Sequence, residues 1–169
     1  MHKPIYARLA ATATLALLAT LATGGAAFAA PGGQSIKYEV VSVANVSSDY
    51  IDRKQQIGYC KVVKAALGCT ITATETVQQT VGLSLGASKG FVSGQLSFSA
   101  TTSRSVAVSC STDPGTKAGT ALVAYPVGKY KTYKIKKTTF TATKSAVVQT
   151  SGKLYAFDPK PNSYACDTK

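Results

Sequence analysis

Between Cys69 and Cys110 polar and apolar residues alternate through two long runs that meet at Lys89-Gly90. One face carries Cys69, Ile71, Ala73, Val77, Val81, Leu83, Leu85 and Ala87, then Val92, Leu96, Phe98, Val106, Val108 and Cys110. The other is built from neutral hydroxyls and amides, among them Thr70, Thr72, Thr74, Gln78, Ser93, Gln95, Ser105 and Ser109. A period of two is the signature of a strand. At this length it predicts one long antiparallel hairpin that turns at Lys89-Gly90, with Gly90 free to take a positive φ. In the register that sets Cys69 against Cys110, Ile71 meets Val108, Ala73 meets Val106, Val81 meets Phe98 and Leu83 meets Leu96. Glu75 then faces Arg104, the single acid and the single arginine of the stretch. Opposite residues on one face are the unit of sheet stabilisation, so one register that satisfies all these pairs is informative. Each arm of about 20 residues would extend roughly 65 Å.

The rest of the chain reads as strand and turn. Residues 1–29 carry a basic start (His2, Lys3, Arg8), an Ala/Leu run and the small-x-small site Ala27-Phe28-Ala29, the pattern of a secretory signal peptide cut after Ala29. Residues 30–35 read as a flexible leader, and 36–169 as a single β domain. Ile36–Val46, Ala121–Tyr125 and Tyr130–Phe140 read as strands, with a turn at Ser47-Ser48-Asp49 and a break at Pro126. Ala146–Thr150 and Leu154–Phe157 read as a hairpin about Ser151-Gly152, and no helical pattern of useful length stands out. The expected class is all-β: one β-sandwich-like domain built on the hairpin at about 69–110 and closed by two disulfides.

Four cysteines in an exported chain imply two disulfides with three connectivities. The hairpin register favours Cys69–Cys110, which leaves Cys60–Cys166. The main rival is Cys60–Cys69 with Cys110–Cys166. All four then have a structural use, which leaves no thiolate for a metal site or a nucleophile. Without the signal peptide the chain has no histidine, and its seven acids form no pair at a general acid/base spacing. The expectation is therefore no enzyme, no metal and no cofactor.

The formal charge of +12 falls to +10 once Lys3 and Arg8 leave with the signal peptide. Lys129, Lys131, Lys134, Lys136 and Lys137 cluster among Tyr125, Tyr130 and Tyr133. They read first as a solvated strand face that discourages edge aggregation. The functional alternative is a patch for an anionic cell-surface polymer. Arg53 and Arg104 are the two arginines outside the signal peptide, and no recognition motif accompanies them, so nucleic acid is not an expected partner.

The two alternating arms, followed by Leu122-Val123-Ala124-Tyr125-Pro126-Val127-Gly128 and a basic alternating strand, resemble the aerolysin-type β-pore-forming toxins. That resemblance implies a hairpin that enters lipid, with Leu83, Leu85, Phe91, Leu96 and Phe98 as membrane or partner contacts. The Gly86–Leu96 run and the Leu154–Asp158 tail resemble small exported actinobacterial proteins, in particular the adaptor subunit of Streptomyces umbrella toxins. That resemblance implies a secreted, non-enzymatic binding part of an antagonistic protein assembly, and it is the preferred reading. The pore-former is the alternative. A secreted protease inhibitor is a third, with Ser111–Thr116 as its exposed loop.

Overall fold

The structure, a computed structural model, describes residues 28–30, 33–142 and 144–169. The expected signal peptide thus lies outside the described residues except for Phe28 and Ala29, as do Pro31 and Gly32 of the leader.

The sheet is organised on β7 (Ala121–Thr141), 21 residues rich in β-branched and aromatic side chains. Two lengths of chain run antiparallel along one of its edges, β2 (Gln34–Ile51) and then β3 (Gly58–Lys61). The other edge takes β8 (Lys144–Thr150) and then β9 (Leu154–Thr168). The short strands β1 (Phe28–Ala30) and β5 (Thr80–Val81) add to β2 and β9 respectively. β2 therefore takes in Gln34 and Ser35 of the expected leader. It also runs straight through Ser47-Ser48-Asp49, where bulges replace the expected turn.

Pro126 does not break β7. Proline lacks the N–H that a ladder requires, but here the flanking ladder is itself interrupted. β2 ends opposite Val127, β3 begins opposite Ala124, and the Pro126 carbonyl still accepts from Asp52 N at 3.0 Å. The expected hairpin about Ser151-Gly152 is likewise overturned. β8 and β9 do not pair with each other; they form one returning arm along β7, interrupted where Ser151 N donates to Ile135 O at 2.8 Å. Among the described residues the longest hairpin thus spans 121–168.

Over this sheet lies a two-stranded one, β4 (Thr70–Gln78) with β6 (Ser103–Ser111). Its faces are as expected: Ile71, Val77, Val106, Val108 and Cys110 are buried, while the Thr/Ser side is mostly exposed. Its register is not. Ile71, rather than Cys69, faces Cys110, and Glu75 faces Val106 while Arg104 faces Val77. A two-residue slip leaves each side chain on its own face, so the alternation cannot detect it. The expected Glu75–Arg104 pair is absent, and the buried Arg104 Nε has no hydrogen-bond partner among the described residues.

The arms also stop well short of Lys89-Gly90. Those residues open a helix, α1 (Lys89–Gln95), capped by Ser88, whose Oγ accepts from Phe91 N at 3.3 Å. Val92 and Leu96, four apart, share its buried side.

Two cores result. Ile57, Ile71, Val77, Val106 and Val108 pack on Leu122, Ala124 and Phe157. Ala87, Val92, Leu96 and Phe98 pack on Tyr133, Ile135 and Ala156. Successive strand residues point to opposite faces, so adjacent Ala156 and Phe157 place these cores on opposite sides of the sheet. Residues 79–102 carry the chain from one side to the other around the β9 edge, where β5 pairs.

The disulfides are Cys60–Cys69 and Cys110–Cys166, which corrects the expected Cys69–Cys110 with Cys60–Cys166. With Ile71 opposite Cys110, Cys69 lies beyond the last ladder pair, beside Cys60 at the end of β3. Two disulfides fit an oxidising, extracytoplasmic environment.

Candidate interaction site

Cys60 and Cys69 close a short loop at one end of the sheet, with their Cα atoms 6.2 Å apart. Both feet of the loop are fastened to residues 112–120. Val62 is buried; its N–H donates to Thr120 O at 2.9 Å and its carbonyl accepts from Gly119 N at 2.7 Å. Cys69 N donates to Thr112 Oγ1, and Thr112 N returns a bond to Cys69 O, both at 2.9 Å. Gly68 takes φ +61°, a conformation that side-chain-bearing residues rarely adopt, and it lies against Thr112.

Between these anchors Val63, Lys64, Ala65, Ala66 and Leu67 are all exposed, and Leu67 N closes a turn on Lys64 O at 3.0 Å. Val63 is 79 % exposed and Leu67 76 %. Single exposed apolar side chains are ordinary on a protein surface. Two at this exposure, in a loop clamped by a disulfide and four hydrogen bonds, form a preorganised apolar knob, which lowers the entropic cost of docking. Exposed Lys61 precedes it and exposed Lys64 lies within it. The Ser111–Thr116 turn, the expected inhibitory loop, stands beside this knob through Thr112 and does not itself carry a large apolar side chain.

The opposite end of β7 offers a different surface. Each residue of β8 is exposed, including Val147 and Val148, and Phe140 stands out from the end of β7. Among the described residues β8 pairs with β7 alone, so its other backbone edge is open to a further strand.

The contact residues expected from sequence do not assemble. Leu96 and Phe98 are core residues, and Phe91 is half-buried, 6.4 Å ring to ring from Tyr38. Leu85 is half-buried with φ 56°, its carbonyl accepting from Tyr38 Oη at 3.0 Å. Of the five, Leu83 alone is exposed. In a helix and an irregular crossing, the alternation that grouped these residues no longer holds. The lysines divide as well, because strand alternation sends Lys129, Lys131 and Lys137 to one face of β7 and Lys134 and Lys136 to the other. Lys131 donates to Leu96 O at 2.7 Å and lies 5.5 Å from the Phe98 ring centroid. Lys136 pairs with Glu39 at 3.1 Å; Lys37, and then Lys136, hold the Glu39 carboxyl below its ordinary pKa. Lys129 and Lys134 are exposed.

Comparison with family models, with curated proteins and with solved structures finds no match.

Proposed function

We propose that this protein is a secreted, non-enzymatic adaptor that joins two partners in an antagonistic protein assembly. The observation that carries this reading is the placement of two unlike, exposed apolar surfaces at opposite ends of one strand. The clamped knob adjoins Ala121 and Leu122, the partners of Lys61 and Cys60, while β8 lies along Lys136–Thr141. A strand of this length spans roughly 65–70 Å, so two proteins can dock without contesting one surface. The knob suits an apolar pocket, and the open β8 edge suits strand addition. The paired disulfides support an oxidising destination, and the resemblance to umbrella-toxin adaptors supports the kind of assembly. The test is recovery of the tagged protein from its own culture supernatant, with mass spectrometry and sizing of what accompanies it. Two distinct partners in one complex are expected. Recovery as a lone protein that releases dye from anionic liposomes would replace this reading with the pore-former.

A further inference from the structure

Tyr50, Tyr130 and Tyr155 come from β2, β7 and β9, three adjacent strands of the main sheet. Their rings form a ladder across it. Tyr50 and Tyr130 stack at 4.2 Å with planes 19° apart, and Tyr130 and Tyr155 at 5.9 Å with planes 23° apart. Phe157 meets Tyr50 edge-on at 6.3 Å. Residues 52–57, the excursion between β2 and β3, rise beside this ladder and complete a cleft of about 540 Å³. That is within the roughly 300–1,000 Å³ of small-molecule sites.

The polar groups of the cleft are held in place. Asp52 is buried, and its carboxylate accepts from Lys54 N at 3.1 Å and from Gln55 Nε2 at 2.9 Å. Those bonds leave the Gln55 carbonyl oxygen and the Lys54 ammonium free of any bond within this turn, and Thr80 of β5 also lines the cleft. Burial first, then the neighbouring Tyr50, Tyr155 and Asp52, raise the Tyr130 hydroxyl above its ordinary pKa, so it stays a neutral donor. Lys153 sits over the Tyr155 ring at 5.9 Å and is not among the lining groups.

We propose that this cleft binds a neutral saccharide. A pyranose has an apolar C–H face that packs on aromatic rings and a rim of hydroxyls that both donate and accept. The cleft supplies a complement to each: the half-exposed Tyr155 ring at the end of the stack, whose inner rings cover one another's faces, and a rim of hydroxyl, amide, carboxylate and ammonium groups. The lining holds one acid, Asp52, and one lysine, Lys54, so it favours neither an anion nor a cation. The site lies away from the knob and from β8, and it adds glycan recognition to a protein otherwise read as a docking part.

The test is NMR titration of the full secreted chain with chitotetraose, maltotetraose and mannotetraose, with tetragalacturonate as the charged comparison. At least one neutral oligosaccharide should shift resonances of Tyr50, Gln55, Tyr130 and Tyr155. Tyr155→Ala should weaken that binding at least about tenfold, whereas Tyr155→Phe, which keeps the ring, should retain most of it. The Tyr155 ring is half exposed, so both variants should fold, as thermal unfolding will report, and partner recovery should be unchanged in both. No shift at about 10 mM of any neutral oligosaccharide, binding indifferent to Tyr155→Ala, or tighter binding of tetragalacturonate would overturn the proposal.

Discussion

Ala156 and Phe157 are consecutive in β9 and belong to different hydrophobic cores. Phe157 faces the β4–β6 layer, and Ala156 faces α1. The main sheet is therefore covered on one side by strands and on the other by a helix, and both covers belong to one continuous segment, 70–111. Gln79 fixes the crossing. Its Nε2 donates to Asp158 Oδ1 at 3.1 Å and to Ser99 O at 3.2 Å, and its Oε1 accepts from Ser93 Oγ at 3.1 Å.

Separate cores should give independent energetics. Ile71→Ala empties part of the strand-covered core and Leu96→Ala part of the helix-covered one, each costing about 2–5 kcal/mol. With the sheet between the two sites, the double variant should equal the summed single effects to within about 0.5 kcal/mol in chemical denaturation. A coupling above about 1 kcal/mol would show that the two sides share one packing unit.

At Gly128 β7 lies close against β9, opposite Pro159. A Cβ there would stand 2.7 Å from Phe157 Cε2 and 2.8 Å from Pro159 Cα, where the backbone cannot yield. Gly128→Ala should cost about 1–3 kcal/mol, read as a lower denaturation midpoint. An unchanged midpoint would mean that the strands sit further apart.

The alternation in 69–110 reports faces and nothing finer. It named the inward side of β4 and β6 correctly because a two-residue slip conserves parity, and the same slip moved Cys69 out of the ladder and decided the disulfides. The helix had a readable signal in Ser88 followed by Val92 and Leu96 at four-residue spacing. Gly90 and Gly94, poor helix formers, masked it. Pro126 read as a break because the gap between β2 and β3 that tolerates it arises from chain 70 residues away. The knob was missed although its signal was present: two cysteines nine apart that enclose five apolar residues, Val62, Val63, Ala65, Ala66 and Leu67, and two lysines. That spacing permits a local bridge as readily as two long ones.

Peptide mapping without reduction should recover Cys60 joined to Cys69 and Cys110 joined to Cys166. The second bridge closes a separation of 56 residues and the first one of nine. Chain entropy then assigns roughly 4 kcal/mol to the long loop and roughly 3 kcal/mol to the short one. Replacing Cys110 and Cys166 by alanine should therefore destabilise more than replacing Cys60 and Cys69. The reverse order would show that the clamp at the knob holds more of the fold than its loop length implies.

Burial of Tyr133, whose hydroxyl donates to Gly82 O, pushes its pKa from an ordinary 10.0 up to about 12. The unfolded chain gives up that proton first as pH rises. The contribution is complete below pH 10 and is lost as pH rises through 12. At about 1.4 kcal/mol per unit it amounts to roughly 2–3 kcal/mol. Tyr133→Phe should be less stable at neutral pH through the lost hydrogen bond and should show a shallower decline above pH 10. Equal slopes in the two proteins would assign the alkaline loss to other groups.

The knob makes the sharpest functional prediction. Val63 and Leu67 touch little of their own protein, so Val63→Asp with Leu67→Asp should leave the unfolding midpoint within the roughly 0.5 kcal/mol typical of surface changes. A docked partner must cover both side chains, and a carboxylate in an apolar pocket costs far more than the methyl groups contributed. At about 2 kcal/mol or more for each anchor, affinity for that partner should fall at least about a hundredfold. Val147→Asp with Val148→Asp, at the far end of the sheet, should spare this partner and release the other. Sizing of each variant with the recovered partners separates the cases: loss of one partner from each pair of substitutions is the signature of an adaptor. If both variants keep both partners, or both lose the same one, the two ends are not separate docking sites.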